Sequence, residues 1–377
     1  MKKECQNTAG RLIAAGSANA DIRYGSGFNA ADEFIYFECG GKKYIAVSVL
    51  EFSRALEEAK EDVQVVENSV IRKAFPGEKT FLNALSKYYG ISEWAVPGTF
   101  PLAYADALRE NGVSVKPVDG DFFPERAVKT EDELQKLRDV MKITEDAMRQ
   151  VQDMIKSTGV NCHGMLTRKN GDLLTSEYIR REVEAGFKRR SCTADRTIIA
   201  GGKQGAAPHC IGDGPIYAGT PVVCDIFPRS DETGYWGDMT RTFCKGKAQP
   251  VVLRAFESVL KASEKSLAML KAGVTGESVH SCAARSMEAD GFIARKNADG
   301  IPCGFIHGLG HGVGLDIHEQ PRLSPANKNP LPANAVVSVE PGLYDPDWGG
   351  IRLEDLVIVR NDGYENLCTM EKELELP

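Results

Sequence analysis

Thirteen residues at 307–319, HGLGHGVGLDIHE, combine three histidines with four glycines. A helix would hold the four glycines in its interior at a cost of about 1 kcal/mol each. An extended strand instead places all the glycines on one face and both His307 and His311 on the other. Because a glycine face in a strand usually lies against another backbone or a ligand, the stretch predicts an extended strand packed closely against a neighbour.

The same stretch is also a candidate functional site. It holds three of the six histidines of the chain, and Glu319 follows the last of them. A lone histidine is more often a structural residue than a ligand, but this clustering favours a site. His318 has the opposite strand parity to His307 and His311, so it requires a bend or faces away from them.

The segment VVCDIFPRSDETGYWGDMTRTF at 222–243 supplies acidic partners for these histidines. Asp225 and Asp238 are thirteen residues apart, so a hairpin centred on Asp231 and Glu232 would place them directly opposite each other on one face. Two facing carboxylates repel unless a cation lies between them or one is protonated. A solvated surface hairpin is the alternative, but VVCDIF is too apolar for a strand with both faces in water. The hairpin therefore favours a metal site.

Two more acids lie in segments with the composition of buried strands. Glu340 ends AVVSVE just before Pro341, which biases it toward an extended conformation. Glu354 lies within GGIRLEDLVIV. A buried carboxylate is costly unless it has a cation, a proton or a hydrogen-bond donor. Arg352 shares the strand parity of Glu354, so a salt bridge between them is an alternative to metal binding at this position.

One imidazole and four carboxylates form the candidate ligand set, which comprises Asp225, Asp238, His311, Glu340 and Glu354. Structural zinc sites use about four protein ligands and catalytic zinc sites about three. A set dominated by oxygen suits two divalent ions instead, because their combined charge balances the carboxylates. Such a pair, about 3.5 to 4 Å apart, can hold a bridging hydroxide and polarise a carbonyl group, so hydrolysis is the expected reaction.

Composition excludes several classes of partner and location. The net charge of −7 and the pI near 5.6 provide no field that attracts nucleic acid or anionic membranes. The amino-terminal MKKECQNTAGRLIAAG lacks the apolar core of a signal peptide, and no apolar run is long enough to span a membrane. The ten cysteines show no paired spacing, which predicts reduced thiols and a cytoplasmic location.

A chain of 377 residues is expected to form about two domains. In the first, FIYFEC and KKYIAVS flank Gly40 and Gly41, a hairpin signal, and the helical segment VLEFSRALEEAKE follows. Near residue 125 the pattern changes, because Thr130 and Glu133 have capping-box spacing ahead of a long helix. Further helices are predicted at 175–188 and 251–271, among strand-like segments that favour an antiparallel sheet. We therefore predict a scaffold domain at 1–125 and a catalytic domain at 126–377.

These segments, in this order, resemble the pita-bread-fold metallopeptidases: aminopeptidase P, prolidase and methionine aminopeptidase, with creatinase as a metal-free relative. The matching segments are APHC around His209, VVCDIF through GYWGDMTRTF, HGLGHGVGLDIHE, VVSVEPGLY and GGIRLEDLV. DIRYGSGF and the hairpin after it resemble more loosely the amino-terminal domain of aminopeptidase P, prolidase and creatinase. The resemblance implies an α+β fold class, with an N-terminal creatinase/prolidase-like α/β domain and a C-terminal pita-bread fold of curved antiparallel sheet flanked by helices.

The resemblance assigns the metal ligands to the same five positions. It implies that His307 and His318 contact the substrate and the developing tetrahedral intermediate, and that His209 also lies on the substrate side. Glu340 would both hold metal and take the proton of the attacking water. Arg352 matches an arginine before the last ligand and is a candidate catalytic residue whose role is open.

The function implied by the resemblance is metal-dependent removal of the N-terminal residue from Xaa-Pro dipeptides or peptides. Manganese is the first candidate metal, with cobalt, iron or zinc as alternatives, and a homodimer is expected. The rivals are a creatinase-like hydrolase of a non-peptide C–N bond and a non-catalytic peptide-binding homologue, whose sites have usually lost ligands.

The segment between Asp225 and Asp238 departs from the family pattern. It is about two residues longer than in most members, and an even insertion keeps both acids on one face. The hairpin tip, SDETG, is expected to reach toward the site and alter substrate preference.

Overall fold

The computed structural model describes residues 9–377. The chain divides into two compact units, with the division between Arg126 and Ala127. Cys5 and the first part of the segment considered for a signal peptide lie outside the described residues. Among the described residues, no helix combines the length and apolar character needed to cross a membrane.

The first unit is built on a mixed six-stranded sheet. In spatial order, its strands are Val63–Glu67, Lys42–Val47, Phe34–Cys39, Ala9–Ala15, Glu93–Val96 and Ser114–Pro117. Its helices are Ala20–Ser26, Val49–Glu58, Asn68–Ala74, Phe81–Tyr89 and Leu102–Arg109. The predicted hairpin is present, and Gly40 and Gly41 both adopt positive φ at its turn, a conformation that glycine accepts without strain.

The second unit begins with the predicted long helix, Glu131–Lys156. Thr130 and Glu133 form the predicted capping box, in which each side chain bonds to the other residue's backbone N–H. The other helices are Ser176–Lys188, Pro250–Met269 and Gly276–Ala289. Helices Pro250–Met269 and Gly276–Ala289 supply apolar side chains to the main core, where they meet the strands Val336–Val339 and Asp355–Arg360.

Two sheets carry the predicted site segments. The four-stranded sheet has the order Ile198–Gly201, Val222–Ile226, Met239–Lys245 and Glu375–Leu376. The five-stranded sheet has the order Glu319–Leu323, Gly310–Gly312, Val336–Val339, Asp355–Arg360 and Gly363–Asn366. A separate ladder pairs Gly342–Asp345 with Gly349–Arg352. Strand pairing is antiparallel throughout these sheets except between Met239–Lys245 and Glu375–Leu376, which are parallel.

The predicted pairing of Asp225 directly opposite Asp238 is wrong. Asp225 pairs with Thr240, and Asp238 lies just before its strand. The register is displaced by two positions because the hairpin is centred on Glu232 and Thr233, one residue later than predicted, and Arg229 bridges Trp236 in this same register. Arg229 and Ser230 also pair with the short strand Cys192–Thr193. An even displacement preserves side-chain parity, so both acids keep the same face.

The glycine-rich stretch is extended over a shorter length than predicted. Only Gly310–Gly312 forms a strand, and its pairing with Glu319–Leu323 contains a register shift. The predicted close neighbours are present. A methyl group at Gly310 would overlap the carbonyl group of Ser338, and one at Gly312 would overlap that of Gln320. Glycine is required here because neighbouring backbones occupy the space of a side chain.

Nine of the cysteines lie among residues 9–377, and six of these nine are buried. The buried members pack as small apolar side chains. They are Cys39, Cys192, Cys224, Cys244, Cys303 and Cys368.

We expect Gly310→Ala to lower the free energy of unfolding by about 3 kcal/mol, because the new methyl group forces two strands apart. Gly363→Ala is the matched control, since Gly363 also lies in a strand of this sheet but has open space around it. Urea denaturation monitored by circular dichroism measures both. Equal stabilities of the two variants would contradict the steric role assigned to Gly310.

Candidate metal centre

All nine predicted site residues line one cavity of about 740 Å³ in the second unit. The set comprises His209, Asp225, Asp238, His307, His311, His318, Glu340, Arg352 and Glu354. Their positions span 209 to 354 in the sequence, so folding brings together segments that are far apart in the chain. The cavity is therefore the candidate functional site.

The candidate ligands lie at or beside strand ends, where the backbone is fixed and the side chain can face the cavity. Asp225 lies near the end of Val222–Ile226, and Asp238 precedes Met239–Lys245. The other three follow the same arrangement: His311 is in Gly310–Gly312, Glu340 directly follows Val336–Val339, and Glu354 directly precedes Asp355–Arg360.

His311 lies at the centre of the acidic cluster. One ligand atom from each of Asp238, His311 and Glu354 lies within 4.8 Å of the others. The His311 Nε2 atom is 3.3 Å from Oε1 of Glu340 and 3.7 Å from Oδ2 of Asp238. Its Nδ1 atom lies 3.2 Å from the Gly312 carbonyl oxygen. If Nδ1 donates to this carbonyl, the Nε2 lone pair remains available to a metal.

The carboxylates in this cluster carry opposing pKa shifts. Burial, reinforced by the charges of neighbouring acids, raises the pKa of Asp238 and of Glu354 well above their ordinary values. Burial alone would also raise the pKa of Glu340. A hydrogen bond and charge from His311, with the charges of His307 and Arg352, outweigh burial and lower the Glu340 pKa to about 2. The cluster thus holds more carboxyl groups than its own cations could neutralise if all four ionised.

Arg352 forms its ion pair with Asp225, so the alternative of an Arg352–Glu354 salt bridge is wrong. The Arg352 guanidinium donates to Oδ2 of Asp225 at 2.7 Å. Glu354 instead accepts a hydrogen bond from the Thr240 hydroxyl at 2.8 Å. Oδ1 of Asp225 is buried and has no hydrogen-bond partner among the described residues. A free buried oxygen beside two carboxyls with raised pKa fits a site for divalent cations.

His307 belongs to a hydrogen-bonded chain rather than to the ligand cluster. Its Nδ1 atom donates to the Gly308 carbonyl oxygen at 2.7 Å, which leaves Nε2 as an acceptor. Nε2 then accepts from the Tyr344 hydroxyl at 2.9 Å, and that hydroxyl accepts from Arg352 at 3.0 Å. Burial lowers the pKa of His307, consistent with a neutral ring. The chain leads through Arg352 to Asp225.

His318 and His209 are the exposed histidines of the cavity. The His318 ring stands perpendicular to that of His311, with 4.3 Å between the centroids. Partial burial of the ring, followed by the charge of His311, lowers the pKa of His318 to about 4, so this ring is neutral at pH 7. A neutral imidazole retains one N–H donor that can face a substrate oxygen.

Sequence reasoning missed several residues that support or line this site. Tyr344 lies within the quoted segment VVSVEPGLY, yet no spacing rule distinguishes it from a core tyrosine. Arg196 and Arg322 also line the cavity, and neither lies in a segment that sequence patterns single out.

A buried ion pair beneath the cavity was also missed. The Arg241 guanidinium donates to the Glu354 carbonyl oxygen at 2.6 Å and to Oδ1 of Asp355 at 2.8 Å. Asp355 in turn accepts from Asn366 and Lys372. The network holds the backbone of Glu354 in place, but its members lie too far apart in sequence to be paired by inspection.

A second buried ion pair supports the loop that carries His318. The Lys129 ammonium lies 2.6 Å from Oε1 of Glu319, and their side chains are only 2% and 8% exposed. The Glu319 carboxylate lies against Gly314, and the backbone N–H of Asp316 lies 3.4 Å from its Oε2 atom. Lys129 also donates its backbone N–H to the Asn334 carbonyl at 3.0 Å. The pair thus connects the start of the second unit to the His318 loop.

The model of metallopeptidase family M24 matches residues 135–361. The chain belongs to this family.

Individual M24 relatives align over nearly the whole chain. The Xaa-Pro dipeptidase of Pyrococcus horikoshii is 27% identical over 360 residues, covering 94% of this chain and 92% of the relative. The crystal structure of the prolidase from Pyrococcus horikoshii OT3 is similar with a TM-score of 0.80 at 26% identity, covering 97% of this chain and 95% of that chain. The X-Pro aminopeptidase from Thermotoga maritima MSB8 has a TM-score of 0.78 at 25% identity, covering 98% and 97%.

Membership in family M24 confirms the predicted resemblance to the pita-bread-fold metallopeptidases. The predicted α+β fold class is also confirmed by the similarity to these solved structures. A metal-dependent hydrolase follows from the family.

For this M24 chain, we expect Lys129→Met to lower the free energy of unfolding by about 3 kcal/mol, because it removes the ammonium that compensates a buried carboxylate. Lys136→Met is the control: its pair with Asp132 is exposed and should contribute less than about 1 kcal/mol. Chemical denaturation of both variants measures the difference. A Lys129→Met protein as stable as the control would show that the pair does not support the fold.

Proposed function

We propose that this protein is an exopeptidase that hydrolyses the bond after the N-terminal residue of Xaa-Pro dipeptides or short peptides. The observation that carries the proposal is the convergence of four carboxylates and one imidazole in a single cavity. The preference for proline is supported by the relatives named Xaa-Pro dipeptidase and X-Pro aminopeptidase, which align along most of the chain.

Two divalent ions are the proposed cofactors, with manganese the first candidate and cobalt, iron or zinc the alternatives. Their ligands would be Asp225, Asp238, His311, Glu340 and Glu354. When bound, the ions supply a water nucleophile that is activated near neutral pH and polarise the scissile carbonyl. The raised pKa values of Asp238 and Glu354 and the buried oxygen of Asp225 without a hydrogen-bond partner support this assignment.

The remaining chemistry belongs to side chains of this protein. Glu340 is ionised at neutral pH and is the proposed acceptor of the proton from the attacking water. His318 is neutral and exposed to the cavity, so it is the proposed donor to the oxygen that gains charge in the transition state. His209, also exposed in the cavity, is the proposed substrate contact.

We assign His307 a different role from the one that the family resemblance implies. Both of its ring nitrogens are engaged, one by the Gly308 carbonyl and one by Tyr344. It is therefore a positioning residue that fixes Tyr344 and, through it, Arg352. Arg352 in turn orients Asp225 and compensates part of the charge of the cluster.

Two rival functions are a creatinase-like hydrolase that acts without metal and a non-catalytic peptide-binding protein. Both are disfavoured by the retention of all five candidate ligands around one cavity. A cytoplasmic location and a homodimeric assembly remain predictions.

The activity is tested with Ala-Pro and Ala-Pro-Ala in the presence of manganese, with Ala-Ala as the control for proline preference. We expect release of alanine from at least one proline substrate, and the preferred length distinguishes a dipeptidase from an aminopeptidase. Glu340→Gln should reduce kcat/KM by at least about a hundredfold, because it removes the proton acceptor. Absence of turnover by the metal-loaded protein would rule out the proline assignment.

Metal binding should release protons and strengthen as pH rises. Asp238 and Glu354 have raised pKa values, so without metal they retain protons to higher pH than ordinary carboxyl groups. A metal displaces those protons, and protons therefore compete with it as pH falls. Calorimetric titration with Mn²⁺ in two buffers of different ionisation enthalpy measures the release, and Asp238→Asn should diminish it. A wild-type chain that binds no divalent ion would favour the rival functions.

A further inference from the structure

Arg196 contributes a positive charge to the cavity. Arg196 lies in the loop between the short strand Cys192–Thr193 and the strand Ile198–Gly201. It lines the cavity, and its side chain is exposed. Among residues 9–377, its guanidinium has no hydrogen bond, ion pair or aromatic contact. All of its N–H donors are therefore available to a ligand.

The backbone holds Arg196 in an unusual conformation. Its φ of 65° lies in the left-handed region, which is uncommon for residues other than glycine. Ser191, with a φ of 53°, begins the same segment. Left-handed residues persist only where surrounding structure determines them, and they occur often at ligand-binding sites. The backbone conformation at Arg196 is therefore determined by the surrounding structure.

The longer segment between Asp225 and Asp238 holds the residues just before Arg196 in place. Its residues Arg229 and Ser230 form a two-stranded ladder with Cys192–Thr193. Oδ1 of Asp231 accepts a hydrogen bond from the Thr193 hydroxyl at 2.6 Å, and the backbone N–H of Asp231 donates to the Ser191 carbonyl at 2.9 Å. The hairpin tip thus lies against the Arg196 loop rather than in the cavity. Any effect of the longer Asp225–Asp238 segment on substrate preference would therefore act through the Arg196 loop.

The charges around the cavity favour an anionic ligand near Arg196. Three arginines and four acids line the cavity, and Arg352 is committed to Asp225. The four acids are the proposed ligands of divalent cations, so with metal bound they leave little negative charge to compensate Arg196. A guanidinium fork matches a carboxylate in a bidentate geometry.

We propose that Arg196 is a specificity-determining residue that binds a carboxylate of the substrate. The inference rests on the proposed function, because it takes a short peptide as the occupant of the cavity. Two carboxylates of such a peptide qualify: the acidic side chain of a first residue, as in Glu-Pro, and the terminal carboxylate of a dipeptide. Both present the same chemistry to the guanidinium.

Two matched substrate pairs distinguish these sources. Glu-Pro and Gln-Pro differ only in the side-chain carboxylate, whereas Ala-Pro and Ala-Pro-amide differ only in the terminal one. In Arg196→Ala, we expect the kcat/KM ratio of one pair to fall about tenfold, because a charge-assisted hydrogen bond is lost only with the carboxylate substrate. The pair whose ratio falls identifies the carboxylate. Arg189→Ala is the control, since Arg189 is exposed at the end of helix Ser176–Lys188 and does not line the cavity.

Binding of peptide analogues that cannot be hydrolysed tests the role of Arg196 without turnover. Reduced-bond analogues of the four peptides cannot be hydrolysed, and calorimetry gives their Kd values for the manganese-loaded wild type and both variants. In Arg196→Ala, we expect the Kd ratio of the same peptide pair to change about tenfold, because the same charge-assisted hydrogen bond is lost. Unchanged ratios for both pairs, or no binding of any analogue, would overturn the role of Arg196. Failure of the proposed function differs from this outcome, because wild-type turnover would then be absent while the selective change in Kd persists.

Discussion

Mutual repulsion between buried carboxylates is the constraint on which the rest of the site depends. Four acids from separate strand ends meet in one cavity, where neither water nor distance screens them well. The chain compensates part of this charge with Arg352 on Asp225, His311 on Glu340 and the hydroxyl of Thr240 on Glu354. The charge that these groups leave uncompensated when all four acids ionise is the basis of the proposed cation binding, and the same charge works against the stability of the metal-free fold.

Such a cluster needs a rigid frame, and the frame comes from close backbone packing and buried ion pairs. Gly310 and Gly312 let adjacent strands approach on both sides of His311. Arg241 holds the Glu354 backbone from beneath, while Lys129 and Glu319 support the loop of His318. These contacts connect residues that are far apart in sequence. The site is therefore a property of the folded second unit rather than of any single motif.

Local patterns predicted much of this architecture. Capping at Thr130 and Glu133 and the glycine turn at 40–41 depend on neighbouring residues alone, so sequence spacing was sufficient. Parity correctly placed Asp225 and Asp238 on one face, but the register was wrong because the hairpin is centred one residue later than the sequence suggested.

Long-range partners were beyond such reasoning. The Tyr344 hydroxyl forms hydrogen bonds with both His307 and Arg352, and Lys129 pairs with Glu319, which lies 190 positions away in the sequence. Strand periodicity indicates which face a side chain takes, but it does not identify the distant residue that meets it there. The left-handed backbone conformation at Arg196 could not be predicted either, because the residue at that position is neither a glycine nor an asparagine.

The spread of the candidate ligands from 225 to 354 bears on how activity arises during biosynthesis. A chain emerging from the ribosome presents Asp225 and Asp238 long before Glu340 and Glu354 exist to complete the cluster. Partial ligand sets of two acids hold divalent ions weakly, so a nascent chain has no competent centre. On the proposed function, catalysis therefore begins only after the last acidic ligand has been synthesised and folded into the second unit.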